Sequence, residues 1–64
     1  MNDAFCDDLV GMMEDEATVQ AMNEGYTVRV TRRDGNSFPV TRDYRTDRVN
    51  FDVEQNVVVA ASVG

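Results

Sequence analysis

The stretch that decides the fold of this 64-residue chain reads Pro39-Val40-Thr41-Arg42-Asp43-Tyr44-Arg45-Thr46-Asp47-Arg48-Val49. Its start favours extended backbone, because Pro39 has a fixed φ and both Val40 and Thr41 are β-branched. In an extended segment, neighbouring side chains point to opposite sides. If Arg42 points outward, Thr41 and Asp43 therefore point back towards the domain, where both can accept hydrogen bonds.

The residues that follow this stretch predict a strand that can support it. Val49, Phe51 and Val53 alternate with polar residues, so they form the core side of a half-buried strand. Arg48 and Asn50 then lie on the opposite side, from which they can reach the two inward-pointing side chains of the loop. A contact between guanidinium and carboxylate is charge-assisted and has a fixed geometry. Such contacts can hold the loop stiff without a disulfide.

Two further strands and a long connection surround this region. Residues 26–31 alternate between apolar and polar, so they predict a strand before the loop. Residues 32–46 contain Asp, Gly, Asn and Pro, which are turn residues, and predict a long connection. Residues 54–56 predict a polar turn, and residues 57–59 predict a last short strand. A long connection in so small a domain is normally functional or disordered.

The only helix that the sequence predicts covers residues 12–23. Its acidic first turn suits the positive end of the helix dipole, and Gly25 suits the left-handed conformation at a helix C-terminus. Met12, Val19 and Met22 can share one face at helical spacing, with Met13 and Ala17 close by. We interpret the methionines as core residues rather than as a ligand site.

The chain, residues 1–64, is expected to form a single small domain in which residues 1–10 are a loose leader. Phe5 and Leu9 of this leader are available to pack against the core. A core this small usually needs help from disulfides, metals or very efficient packing. Cys6 is the only cysteine, so a disulfide within the chain is excluded. We expect a monomer, with a dimer linked through Cys6 as the alternative.

Charge and composition argue against several classes of function. The net charge is −6, residues 1–24 hold seven acidic residues and no basic one, and all six arginines lie between positions 29 and 48. The acidic half repels phosphate backbones, so nucleic acid is not an expected partner. Since there is no histidine, neither Cys6 nor Ser37 has an evident base to activate it, and we do not expect an enzyme. No metal and no cofactor are expected.

The sequence has no recognisable membrane or export segment. No apolar run approaches the roughly 18 residues of a membrane-spanning helix. The acidic N-terminus lacks the basic and apolar regions of a signal peptide. No membrane partner is therefore expected, and the protein is either cytoplasmic or a mature secreted form.

The loop is similar to that of a known family. Its pattern is Pro39-Val40-Thr41-x-Asp43-x-Arg45-x-x-Arg48-Val49. This pattern resembles the potato inhibitor I family of serine-protease inhibitors, the group of the eglin and barley chymotrypsin inhibitor type. The similarity is dense over residues 39–51 and sparse but collinear over residues 10–64. Asn50 departs from the family, which commonly has a second arginine there, and resembles a related bacterial and fungal inhibitor group.

The resemblance implies an α+β fold in which one helix packs on a small mixed sheet and a long, exposed reactive-site loop joins two parallel strands. It also implies an inhibitor that acts through a rigid, substrate-like loop by the standard mechanism. Arg42 is then the P1 residue, and the bond between Arg42 and Asp43 is the reactive-site bond. Arg48 and Asn50 support the loop. The residues expected to contact the protease are Pro39, Val40, Thr41, Tyr44 and Arg45.

The expected partner is a serine protease. An exposed arginine on a rigid extended loop suits a specificity pocket with an acid at its base, as in trypsin-like enzymes. A trypsin-like target is therefore the first expectation and a subtilisin-like target the second. The alternative is a non-inhibitory protein-binding module that keeps the inhibitor fold.

Overall fold

The computed structural model describes residues 3–64, and this part of the chain contains two helices and a four-stranded mixed sheet. The elements are α1 Asp3–Leu9, α2 Glu14–Asn23, β1 Thr27–Arg33, β2 Asn36–Ser37, β3 Arg48–Glu54 and β4 Val57–Val63. The strands lie in the order β2-β1-β3-β4, with β1 parallel to β3 and the other two pairs antiparallel. The fold is therefore α+β, as the sequence predicts.

Strand β3 carries the core of the protein. Its side chains alternate between half-buried and buried, and Val49, Phe51 and Val53 are almost completely buried, as predicted. They form one cluster with Val58 of β4 and with buried residues of both helices. Burial of each large apolar side chain contributes roughly 1.5–3 kcal/mol. The same alternation leaves the polar residues of β3 on the opposite face of the sheet.

Helix α2 packs against the sheet through alanines. It begins and ends close to the predicted limits, and Gly25 follows it with a φ of +91°. Ala17 and Ala21 are fully buried, while the carboxylate of Glu14 forms an ion pair with Arg33 of β1 at 2.5 Å. Positions 14, 17 and 21 share one face because they are three and four residues apart. This face therefore lies on the sheet.

The predicted core face of the helix is correct for Met12 and Ala17 but wrong for Met13, Val19 and Met22. Val19 and Met22 are 59% and 62% exposed, and Met13 is also exposed, whereas Met12 is half-buried against the core. The reason is that the start of the helix is fixed in rotation. The backbone of Glu14 donates a hydrogen bond to the turn before β4 at 2.7 Å, and its side chain holds β1. These two contacts turn the alanine face, and not the methionine face, towards the sheet.

The N-terminal segment is helical where the sequence predicts a loose leader. In α1, Cys6 and Leu9 are buried in the core, and Phe5 stacks on Tyr26 with ring centres 5.1 Å apart. Cys6 and Leu9 share a face because they are three residues apart. The prediction is thus corrected for Asp3–Leu9, while Met1 and Asn2 lie outside the described residues.

Two hairpin turns lie side by side, because they follow the neighbouring ends of the parallel strands β1 and β3. Asp34 and Gly35 join β1 to β2, and Gln55 and Asn56 join β3 to β4, with a positive φ at all four residues. Two-residue hairpin turns of type I′ require this conformation. The Asp34 carboxylate accepts a hydrogen bond from the backbone of Gln55 at 2.8 Å, which links the two turns.

The first hairpin also shortens the predicted connection. Strand β2 was not predicted, because two residues are too few to show a periodic pattern. It pairs with the end of β1, so the irregular connection covers residues 38–47 instead of 32–46. Strand β4 is longer than predicted, since its pairing with β3 continues through Ala60, Ala61 and Ser62 to Val63.

Candidate functional site

The candidate site is the loop of residues 38–47, which joins β2 to β3 and is exposed along its whole length. At its start, the backbone N–H of Phe38 donates to the carbonyl of Thr31 at 3.0 Å. At its end, the carbonyl of Asp47 accepts a hydrogen bond from the backbone N–H of Thr27 at 2.8 Å. Both ends of the loop are therefore attached to β1.

The middle of the loop is held by Thr41 and Asp43. The hydroxyl of Thr41 donates a hydrogen bond to Asp43 Oδ1. Arg48 of β3 donates from Nη2 to the backbone oxygen of Asp43 at 2.6 Å, and the same nitrogen lies 3.5 Å from Asp43 Oδ1. The expected contact between Arg48 and Asp43 is present. The Arg48 side chain is only 12% exposed and that of Asp43 is 54% exposed, so a shielded guanidinium holds a carboxylate at the surface.

A second arginine, which the sequence pattern did not indicate as a site residue, holds the other side of the loop. Arg29 of β1 donates from Nη1 to the hydroxyl oxygen of Thr41 at 3.3 Å. Its Nε donates to the side-chain oxygen of Asn50 on β3 at 2.8 Å. The register of the parallel pair places Arg29 directly beside Asn50, so the two side chains lie on the same face of the sheet.

The expectation that Asn50 reaches the loop itself is corrected. Within the described residues, Asn50 forms no hydrogen bond with Thr41 or Asp43. It accepts a hydrogen bond from Arg29, and its Nδ2 donates to the backbone oxygen of Gly64 at 3.0 Å. The longer side chain of Arg29, on the neighbouring strand, contacts the loop instead. Asn50 therefore acts through Arg29.

These contacts close into a ring of hydrogen bonds, which we call the clamp ring. Its last link is Arg48 Nε, which donates at 2.8 Å to the same Gly64 oxygen that Asn50 contacts. Hydrogen bonds connected in this way polarise and strengthen one another. In order around the clamp ring, the members are Gly64, Asn50, Arg29, Thr41, Asp43 and Arg48.

The side chains between the held positions project from the loop. Val40 and Tyr44 are exposed, the latter by 70%, and Arg42 is exposed between them. Arg42 forms no hydrogen bond and no ion pair with any residue that the structure describes. The loop therefore alternates, with Val40, Arg42 and Tyr44 directed to solvent and Thr41 and Asp43 tied into the clamp ring.

The second half of the loop has its own support. Arg45 donates two hydrogen bonds to the carboxylate of Asp47, from Nε and Nη2, both at 2.9 Å. Such a two-point contact fixes the plane of the guanidinium. Arg45 was expected to contact a protease, and in the free protein its charged group is engaged within the loop. Pro39 lies at the exposed start of the same loop.

The loop carboxylates are kept ionised by their partners. The hydrogen bond from Thr41 lowers the pKa of Asp43 below its ordinary value, and the charge of Arg48 acts in the same direction. The hydrogen bonds from Arg45 lower the pKa of Asp47, and Asp47 in turn raises the pKa of Arg45. At neutral pH both carboxylates are therefore charged and able to accept the hydrogen bonds that hold the loop.

Over residues 3–64, the structure has neither a cluster of metal-ligating side chains nor a helix suited to span a membrane. No group of three or more His, Cys, Asp or Glu side chains in this range is placed to hold a metal ion. No helix in the same range is long and apolar enough to span a membrane.

Comparison with known proteins gives no match to any protein-family model and no significant match to any curated protein.

Proposed function

We propose that this protein is a serine-protease inhibitor that presents residues 38–47 to its target as a substrate-like reactive-site loop. The observation that carries the proposal is the arrangement around Arg42. The residues on its two sides, Thr41 and Asp43, are tied to the sheet by Arg29 and Arg48, while Arg42 itself is exposed. The bond between Arg42 and Asp43 is the proposed reactive-site bond.

A loop held in this way suits inhibition for a thermodynamic reason. Extended chain is the form in which peptides pair with a binding site through main-chain hydrogen bonds. A loop that is already ordered loses little conformational entropy when it docks, so more of the interaction energy appears as affinity. A flexible loop of the same sequence would bind more weakly and would be cleaved and released.

The proposed target is a protease with an acidic specificity pocket. Arg42 offers an exposed guanidinium, which suits the aspartate at the base of the pocket in trypsin-like enzymes. A trypsin-like enzyme is therefore the first candidate and a subtilisin-like enzyme the second. The loop residues proposed to contact the enzyme beside Arg42 and Asp43 are Pro39, Val40, Thr41, Tyr44 and Arg45.

The test is titration of trypsin, and separately of a subtilisin, with the intact protein. We expect residual trypsin activity to fall in proportion to added protein, while mass spectrometry detects only slow cleavage after Arg42. Rapid and complete cleavage at that bond, with the enzyme remaining active, would contradict inhibition and would favour the non-inhibitory binding module.

Matched variants make the titration specific to the loop. Arg42→Ala should abolish inhibition of trypsin, because it removes the group proposed to enter the specificity pocket. Arg32→Ala removes an exposed arginine that pairs with Asp52 at 3.5 Å, away from the loop, and should inhibit like the parent protein. Equal loss of inhibition in both variants would show that general positive charge, and not Arg42, is responsible.

A further inference from the structure

We infer that Arg29 is a positioning residue for the proposed inhibition, and that it holds the acyl side of the reactive-site bond. The inference rests on the proposed function. Thr41 precedes the bond between Arg42 and Asp43 and is contacted by Arg29 of β1. Asp43 supplies the nitrogen of that bond and is contacted by Arg48 of β3. Each side of one peptide bond is thus attached to a different strand.

The two attachment points cannot move apart easily, because β1 and β3 are parallel neighbours in the sheet. Their register pairs Thr27 with Arg48 and Arg29 with Asn50. The spacing between the two guanidinium stems is therefore set by the backbone hydrogen bonds of the sheet, which are among the most rigid parts of a small protein. The loop is therefore attached to both strands, through Arg29 on β1 and Arg48 on β3.

Asn50 gives Arg29 its direction. The bond from Arg29 Nε to Asn50 Oδ1 is 2.8 Å long and fixes one edge of the guanidinium. Asn50 is in turn held by its bond to the oxygen of Gly64 at 3.0 Å. A guanidinium is planar, so fixing one edge directs its remaining donors. Nη1 of Arg29 is thereby directed at Thr41, at 3.3 Å.

The chemical consequence concerns what happens after the protease attacks. The serine of the enzyme forms an ester with the carbonyl carbon of Arg42, and the nitrogen of Asp43 leaves with a proton as a free amine. Water can then release the Arg42 carboxylate and regenerate the serine hydroxyl, or the Asp43 amine can attack the ester and re-form the peptide bond. The second path needs both new ends to stay in place, which raises their effective concentration.

Arg29 and Arg48 divide this task. Arg48 keeps the Asp43 amine near the ester, and Arg29 keeps Thr41, and with it Arg42, in the position that the intact loop has. Loss of Arg29 should therefore favour hydrolysis over resealing, even where the fold is unchanged.

The experiment compares Arg29→Ala, Arg29→Lys and the control Arg32→Ala with the parent protein. Each protein is incubated with catalytic trypsin, and the rate of cleavage after Arg42 and the final ratio of intact to cleaved protein are measured. The ratio is also approached from purified cleaved protein. Loss of a hydrogen bond to a charged group predicts about tenfold faster cleavage for Arg29→Ala and a ratio shifted towards the cleaved form.

The other two variants separate positioning from general stability. Arg29→Lys should lie between the parent and Arg29→Ala, since one ammonium cannot reproduce the fixed fork that contacts Asn50 and Thr41. Arg32→Ala should match the parent in rate and ratio. Parent-like rates for Arg29→Ala would overturn the inference. Cleavage that rises in both alanine variants in proportion to their lowered Tm would overturn it as well.

If Arg29→Ala does not fold, a variant of Thr41 tests the same contact. Thr41→Val keeps the size of the side chain and removes only the oxygen that Arg29 and Asp43 contact. It should also accelerate cleavage, and combining it with Arg29→Lys should add little more. Fully additive effects would mean that the two residues act separately and would overturn the inference.

Failure of the inference is distinguishable from failure of the proposed function. If the parent protein inhibits neither trypsin nor a subtilisin and trypsin cleaves it after Arg42 as a substrate, the proposed function fails. Cleavage after Arg42 is then still measurable, and a faster rate for Arg29→Ala than for Arg32→Ala still supports the positioning of the loop by Arg29.

Discussion

At the scale of single residues, two arginines of the same segment differ in their exposure and in their contacts. Arg48 has a side chain that is 12% exposed and bonds to both Asp43 and Gly64. Arg42, six positions earlier, is exposed and makes no contact of this kind with any described residue. The difference follows from their places in the fold, because Arg42 lies in the exposed loop between two held residues, whereas Arg48 lies on β3 beneath the loop.

Under the proposed function, replacing Arg42 by leucine should change which protease the protein inhibits. Removing one partner of a buried charge pair costs about 2–5 kcal/mol, so inhibition of trypsin by Arg42→Leu should weaken by roughly 30-fold or more. Inhibition of chymotrypsin-like and subtilisin-like enzymes should improve. Inhibition constants against a panel of the three enzymes measure the shift.

The control is Arg32→Leu, which removes an arginine outside the loop that pairs with Asp52. An exposed ion pair is worth only about 0–1 kcal/mol, so its inhibition profile should stay close to that of the parent. If Arg42→Leu kept the parent profile, Arg42 could not be the P1 residue.

Acid should loosen the loop through its carboxylates. The folded protein lowers the pKa of Asp43 and Asp47. Between the folded-state and the unfolded-state pKa of each carboxyl, the unfolded chain therefore binds more protons than the folded protein. Their contribution to stability is fully present above the unfolded value of about 3.9 and is lost as the pH falls through the lowered folded-state pKa. Urea unfolding at a series of pH values measures this loss.

The variant Asp43→Asn isolates one of the two carboxylates. Its free energy of unfolding should fall less steeply with acid than that of the parent, because an amide does not titrate in this range. Identical slopes for the variant and the parent would show that Asp43 contributes nothing to the acid sensitivity.

The residue scale also shows the limit of prediction from sequence at the site. Thr41, Asp43 and Arg48 can be related because they lie close together along one extended segment. Arg29 belongs to another strand, and its contact with Thr41 depends on the register between β1 and β3. Its alternation with Val28 and Val30 places it on the polar face, but only the parallel pairing shows that this face lies under the loop.

At the scale of elements, short-range periodicity predicts the strands better than the helices. The alternation over β3 corresponds to its buried and half-buried positions. Helix α2 has two faces that could be buried, one with methionines and one with alanines, and hydrophobicity favours the wrong one. Contacts of Glu14 with β1 and with the turn before β4 decide between them, and these partners lie far away in the sequence.

Core packing below α2 provides a test of this orientation. Ala21 is fully buried and Met22 is 62% exposed. Adding bulk at a packed position costs about 1–3 kcal/mol, so Ala21→Leu should lower the free energy of unfolding by this amount. Met22→Ala should stay within about 0.5 kcal/mol of the parent. Urea denaturation compares the two, and a larger loss for Met22→Ala would contradict the orientation.

At the scale of the whole molecule, most arginine side chains are paired with acidic side chains of the same protein. Among the described residues, four arginines form ion pairs with acidic side chains, namely Arg32, Arg33, Arg45 and Arg48. Arg29 is engaged with uncharged groups of Asn50 and Thr41. The arginine-rich segment is therefore not an open cationic surface, and Arg42 is the arginine with neither an ion pair nor a hydrogen bond to a described residue.

The fold also predicts the behaviour of the protein after cleavage. Cutting after Arg42 divides it into residues 1–42 and 43–64, yet β1 of the first fragment pairs with β3 of the second, and both contribute to one core. The fragments should stay associated in buffer and separate only in denaturant. Size-exclusion chromatography of the cleaved protein measures this, and separation without denaturant would contradict it.

The alternation within the loop has a consequence for how such a protein can diversify. Positions 40, 42 and 44 face solvent, while positions 41 and 43 belong to the clamp ring. Outward side chains and side chains tied to the sheet thus alternate along five consecutive residues. A library randomised only at the three outward positions should remain largely folded, so new targets can be selected without redesigning the protein that displays them.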